Sequence, residues 1–202
     1  MRGYEDVARN YVNTIFGGQD PDSRIPPIQG EDAPWSNNEW DAQGEAIYLA
    51  MQVYHYSGDE TFLEAVYPHI AGAADYILAL RNQTADDPPS TRGLLPISLS
   101  AEDLADGEQH YYWDNFWALV GLTQAAEAAT ILNAADDAAR WQAEASALVS
   151  NRNQSVRSDG RSCSYVPASV EHRTTPGWLA EPHQPCIPSP DIPRRSTHGT
   201  RF

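Results

Sequence analysis

The chain has 202 residues and no lysine, and 28 acidic against 13 basic side chains give it a net charge of −15. Because 41% of its residues are hydrophobic and 10% aromatic, it can bury a core, which excludes a wholly disordered chain. The acidity disfavours nucleic acid and anionic membranes as partners. The sequence has no apolar run of the roughly 18–20 residues that span a bilayer, and no secretory signal at its start. This leaves the localisation open between a cytoplasmic protein and part of a secreted one.

The first three-quarters of the sequence predicts helices joined by loops. Apolar residues at helical spacing predict helices over about 4–16, 41–57, 60–66, 68–82, 112–132 and 134–151. Pro68 fits the first turn of a helix, so a break is expected before it. Two loops rich in proline, glycine and acidic residues, about 19–40 and 83–109, interrupt the helices. No stretch before residue 160 alternates long enough to predict a strand, so the fold class is all-α.

Two of these helices are predicted to bury a particular face. In the first, Tyr4, Val7 and Tyr11 belong to the apolar face, together with residues one turn further on. In the helix over 112–132, the residues expected to point inward are Phe116, Leu119, Val120 and Thr123.

The composition changes at about residue 159. Seven of the 15 prolines and both cysteines lie beyond it, the local charge becomes slightly positive, and helical periodicity ends. We therefore divide the chain into a helical domain over 1–158 and a Pro/Arg-rich irregular tail over 159–202. Cys163 and Cys186 can form one disulfide or remain two free thiols, and they have no metal-binding spacing.

Several common catalytic signatures are missing from the sequence. It contains no phosphate-binding loop, dinucleotide-binding glycine motif, zinc-protease helix or serine nucleophile elbow. The acidic stretches lack EF-hand spacing, and solvated loops explain them better than calcium does. No metal and no cofactor are expected.

Two segments combine tryptophan with carboxylates, each where a loop ends and a helix begins. Because two helical segments lie between these two segments of the sequence, the helices that they open are expected to start at the same end of the bundle. Indole rings stack on sugar rings, and glycoside hydrolysis requires two carboxyl groups, one of them kept protonated by burial. The alternative is structural, because acids at helix starts cap N–H groups and tryptophans at helical spacing pack in cores. We favour a sugar site formed by Trp35, Glu39, Trp40, Asp41, His110, Trp113, Asp114 and Trp117.

Three stretches carry a resemblance to a known family. Residues 38–44 (NEWDAQG), 93–96 (GLLP) and especially 110–122 (HYYWDNFWALVGL) resemble the bacterial and fungal six-hairpin glycosidases, over about 4–171 in all. These include trehalases, glucoamylases, rhamnosidases and mannosyl-glycerate-type hydrolases. The resemblance implies an (α/α)6 toroid and mostly inverting hydrolysis of a carbohydrate substrate. It implies Asp114 as the general acid, with Glu39 and Asp41 as hydroxyl binders or the alternative acid.

The length departs from that family's pattern. Five or six helical segments make roughly half a toroid, and the catalytic base usually comes from a later hairpin, so we expect an incomplete, weakly stable and inactive domain. Beyond Glu171 the resemblance ends, which suggests a truncated gene or shifted reading frame. The alternative function is a non-catalytic helical carbohydrate-binding or scaffold module. A helical-repeat protein is disfavoured because no internal repeat is visible. The oligomeric state is open.

Overall fold

A computed structural model of the chain describes residues 3–30, 38–99, 107–158 and 166–171. These residues contain five helices: α1 (Glu5–Gly17), α2 (Asp41–Ser57), α3 (Glu60–Gln83), α4 (Tyr112–Ile131) and α5 (Ala135–Arg157). In the described ranges β-pairing is limited to two isolated bridges. The predicted all-α fold class is therefore confirmed. None of these helices is long and apolar enough to cross a membrane.

The helices form two layers. In one layer, α2 and α4 run side by side in the same direction, since Asp41 bonds Trp113 near their starts and His55 bonds Glu127 near their ends. In the other layer, α3 and α5 are joined by ion pairs such as Arg140–Asp75. Alternate helices thus run parallel, as in a toroid of helical hairpins. The chain forms part of such a toroid.

Two glycines allow α2 and α4 to approach closely. A Cβ atom on Gly44 would lie 2.0 Å from the carbonyl oxygen of Trp117, and one on Gly121 would lie 2.8 Å from the Cα atom of Gly44. Atoms that are not bonded to each other cannot approach so closely, so only glycine fits at these positions. The resulting contact fixes the first turn of α2 against the second and third turns of α4.

The turn from α2 to α3 is built from local signals. Gly58 adopts the left-handed conformation, with φ of 65°, at the end of α2. The next residue, Asp59, caps α3 by accepting a 3.1 Å hydrogen bond from the Phe62 amide. The predicted break before Pro68 is wrong, because α3 continues through it. Pro68 and Glu64, whose carbonyl loses its helical partner, are both exposed, so water can take that partner's place.

The predicted faces of α1 and α4 are only partly correct. In α1, Val12 and Phe16 are buried, whereas Tyr4, Val7 and Tyr11 are each more than 60% exposed. In α4, the predicted inward residues Phe116, Leu119 and Val120 are only half-buried, and Thr123 is exposed. The small side chains of α4 are buried instead, because this helix packs against α2, α3 and α5 and has no single core face.

Four short non-helical segments lie side by side near the starts of α2 and α4. Leu99 N donates to Asn38 O, Ser98 pairs with Gln109, and Tyr111 pairs with Ser169. The segments therefore follow the order 38–40, 97–99, 107–111 and 166–171. The last belongs to the predicted tail and packs here, with Val170 buried. The other predicted tail residues, 159–165 and 172–202, including both cysteines, lie outside the described residues.

Candidate functional site

Three consecutive residues in the first turn of α4 attach this helix to α2 and to two points of the loop that precedes it. Trp113 Nε1 donates to Asp41 Oδ2 on α2 at 2.8 Å. Asp114 Oδ2 lies 2.5 Å from the Ser98 hydroxyl. Asn115 accepts from the Leu95 amide at 3.0 Å. The WDN motif therefore gathers α2 and the loop before α4 around the start of this helix.

Among the described carboxyl groups, that of Asp114 combines deep burial with a raised pKa. The residue is 1% exposed, and its Oδ1 atom is buried with no hydrogen-bond partner among the described residues. Burial raises the pKa of Asp114 to about 8, although the hydrogen bond from Ser98 opposes this shift. The negative charges of Asp41 and Glu39 contribute to this same increase in the pKa. Asp114 is therefore largely protonated at neutral pH.

The predicted acids are brought together at this end of the molecule. Asp41 is 4% exposed and holds the indole of Trp113, while Glu39 is half-buried one residue before Trp40. Both are close enough to Asp114 to act on its charge. This confirms the expectation that the two tryptophan-acid segments meet at one end of the bundle.

An aromatic wall continues from these acids along α4 and α2. The rings of Trp113 and Trp117 meet edge to face with centroids 6.1 Å apart, and Tyr48 lies edge-on to Trp117 at 5.8 Å. Trp113 and Trp117 are half-buried, and Tyr48 is 40% exposed. Partly exposed aromatic rings beside carboxyl groups are a surface on which a sugar ring can stack.

The other two predicted tryptophans are placed differently. Trp40 is 6% exposed, and its ring packs against Tyr76 and beneath the guanidinium of Arg24, so little of it is available to a ligand. Trp35 lies outside the described residues.

His110 is held by the segment that follows α5. Its Nδ1 atom lies 2.7 Å from Glu171 Oε1, and its amide donates to the other carboxylate oxygen at 3.0 Å. Burial by itself would raise the pKa of Glu171, but the hydrogen bonds from His110 lower it below the usual value. With 9% of its surface exposed, His110 joins segments 107–111 and 166–171.

Three residues that the sequence reasoning did not single out belong to this region. Ser98 contacts Asp114, Tyr48 extends the aromatic wall, and Glu171 holds His110. Tyr48 lies one helical turn after Gly44, so helical spacing could have predicted that it lies on the side of α2 that faces α4. Ser98 and Glu171 lie in non-helical segments, where spacing carries no comparable signal.

A separate cavity lies on another side of α2. Its volume is about 490 Å³, and α1, the loop at 25–29 and α2 enclose it. None of the predicted site residues lines it, so it is distinct from the acids and the aromatic wall. In the described ranges no three histidine, cysteine or acidic residues are grouped so as to hold a metal ion.

Layered helical hairpins are the architecture of the helical-hairpin glycosidases. Residues 1–176 match the family model described as the bacterial alpha-L-rhamnosidase 6 hairpin glycosidase domain. The chain belongs to this family. No curated protein and no solved structure matches it. The domain boundary near residue 158 stays a prediction, as the family match continues to residue 176.

Proposed function

We propose that this domain binds a carbohydrate and that its family's reaction, hydrolysis of a glycosidic bond, uses Asp114 as general acid. The observation that carries the proposal is the buried Asp114 carboxyl, with a pKa raised to about 8 and aromatic rings and two further acids nearby. A general acid must hold its proton at the working pH, and an ordinary aspartate does not.

In the proposed reaction, the proton of Asp114 passes to the glycosidic oxygen as the bond from that oxygen to the anomeric carbon breaks. A water molecule attacks this carbon from the opposite face and gives its proton to a second carboxylate, so the configuration inverts. Asp41 and Glu39 bind sugar hydroxyls, with either as the alternative acid. We propose that the base lies outside the five described helices, since six hairpins of two helices require twelve. This chain by itself then binds sugar without efficient hydrolysis.

The substrate class we propose to test first is the α-L-rhamnosides. The matching family is described by an α-L-rhamnosidase activity. Rhamnose carries an apolar methyl group, which suits the wall formed by Trp113, Trp117 and Tyr48. His110 and Trp40 would then act mainly by supporting this wall and the acids, because both are at least nine-tenths buried.

Binding is tested by calorimetry of the chain with L-rhamnose and an aryl α-L-rhamnoside. Trp117→Ala should weaken binding about tenfold, because it removes the indole surface on which the apolar face of the sugar would pack. The matched control is Tyr56→Ala, since this tyrosine is 66% exposed near the other end of α2. Asp114→Asn should change affinity only slightly. If the unaltered chain binds neither sugar, the proposal is wrong.

Hydrolysis is tested with aryl α-L-rhamnosides whose leaving groups differ in basicity. Any turnover should fall on Asp114→Asn, and fall most for the poorest leaving groups, because these depend most on protonation. The configuration of the sugar first released, observed by NMR, tests inversion. Turnover that Asp114→Asn leaves unchanged would refute the role of this acid. Binding without turnover in a chain completed by further hairpins would favour the non-catalytic binding module.

A further inference from the structure

The hydroxyl of Ser98 is placed to act on Asp114. Ser98 is fully buried at 0% exposure, and its hydroxyl oxygen lies 2.5 Å from Asp114 Oδ2. Its backbone is fixed by two 2.9 Å hydrogen bonds exchanged with Gln109 in the neighbouring segment. The paired backbone fixes the position of the Ser98 Cβ atom and so keeps the hydroxyl within reach of Asp114. The contact with Asp114 is therefore set by the pairing of segments 97–99 and 107–111.

Ser98 also decides which oxygen of Asp114 is engaged. Oδ2 accepts the serine hydroxyl, whereas Oδ1 has no partner in the described part of the chain. The Ser98 hydroxyl oxygen also lies 3.4 Å from the Gln109 carbonyl oxygen, so a neutral Asp114 can donate from Oδ2 to Ser98 while Ser98 donates to Gln109. When the proton has been given up, the same hydroxyl is the single described donor to the carboxylate. The groups facing this carboxylate from the α2 side, Asp41 and Glu39, are acidic and disfavour its charge.

We propose that Ser98 is a positioning residue for Asp114: the Ser98 hydroxyl holds the carboxyl by Oδ2 and stabilises the carboxylate that remains after the proton has been released. The catalytic meaning of this inference rests on the proposed function of Asp114. The contact itself does not, and it can be measured without turnover.

The test is the titration of Asp114, followed by carbon-13 NMR of its side-chain carboxyl in the whole chain. Ser98→Ala removes the one described donor to the charged form, so the midpoint should rise by about one pH unit, a tenfold weaker acid. Ser98→Cys keeps a side chain of similar size and supplies a weaker hydrogen-bond donor, so its midpoint should lie between those of the unaltered chain and Ser98→Ala. The matched control is Ser169→Ala, because Ser169 is equally buried in the same set of segments but bonds Gln109. It should leave the midpoint unchanged.

A midpoint that stays or falls in Ser98→Ala overturns the inference, and so does an equal rise in Ser169→Ala. If Ser98→Ala loses the helical circular-dichroism signal, the titration of Ser98→Cys takes its place. A midpoint in Ser98→Cys equal to that of the unaltered chain then overturns the inference. The two proposals fail in different experiments. A chain that binds no sugar defeats the proposed function and leaves the titration result standing, whereas an unshifted titration defeats only the role of Ser98.

Discussion

Trp113 Nε1 donates a 2.8 Å hydrogen bond to Asp41 Oδ2 and so ties the first turn of α4 to the first turn of α2. Asp41 is almost fully buried, so its carboxylate depends on such partners. This one bond therefore serves both the packing of the two helices and the placing of the acids.

Replacing Trp113 by phenylalanine should destabilise the fold by about 1–3 kcal/mol, because a buried carboxylate oxygen loses its donor while most of the ring remains. Unfolding in urea, followed by circular dichroism, measures the loss. Trp117→Phe is the matched control, since Trp117 packs edge to face on Trp113. Equal destabilisation by the two variants would show that the hydrogen bond to Asp41 is unimportant.

Gly44→Ala should destabilise the fold by about 3 kcal/mol, because the new Cβ atom would meet the Trp117 carbonyl and force α2 away from α4. The same urea titration tests it. Gly17→Ala is the control: this glycine is also helical, but a Cβ atom there meets nothing within 4 Å. That change should be neutral or stabilise by up to about 1 kcal/mol. Similar values for both would contradict the close approach of the two helices.

Glu171→Gln should weaken the attachment of segment 166–171 in a pH-dependent way. Because the pKa of Glu171 is lowered in the fold, its carboxylate stabilises the folded state above the ordinary value near 4.5, and this contribution is lost as the pH falls below it. The effect should stay below about 1 kcal/mol, since the side chain is 41% exposed.

The measurement for Glu171 is the stability difference between the unaltered chain and the variant at pH 6 and at pH 3. We expect a difference at pH 6 that disappears at pH 3. Glu64→Gln, at an exposed position on α3, should show neither. A difference that is the same at both pH values would mean that the charge of Glu171 has no role.

The sequence predicted the helices well because most of them have simple boundaries. The end of α2 at Gly58 and the start of α3 after Asp59 follow from local chemistry that needs no knowledge of the rest of the fold. The break before Pro68 was predicted wrongly, because the free-energy cost of a proline inside a helix depends on whether water can reach the carbonyl that it leaves unbonded. Helical periodicity also could not predict which residues of α4 are buried, because three helices pack around α4.

The candidate site was predictable to the level of the two tryptophan-acid segments. Counting the helical segments between them placed Asp41 and Asp114 at one end, and the hydrogen bond from Trp113 to Asp41 agrees. The part played by Ser98 could not be predicted, because it depends on the pairing of two loop segments. The burial of Trp40 depends likewise on Tyr76 and Arg24, which come from distant parts of the chain.

The proposed acid role requires that Asp114 keep its proton at neutral pH. With a pKa of about 8 in the fold against about 3.9 unfolded, the folded state binds more protons between these values. The contribution of Asp114 to stability therefore falls as the pH rises from 5 to 8, by up to about 1.4 kcal/mol per pH unit. An asparagine side chain cannot titrate, so Asp114→Asn removes this dependence.

The most direct measurement is the free energy of unfolding of the unaltered chain and of Asp114→Asn at pH 5, 6, 7 and 8. Loss of the contact with Ser98 in the variant adds a constant offset and leaves the slope unaffected. We predict that the variant gains stability relative to the unaltered chain with each step in pH. A stability difference that does not change between pH 5 and 8 would show that Asp114 is ionised throughout this range and cannot be the proton donor.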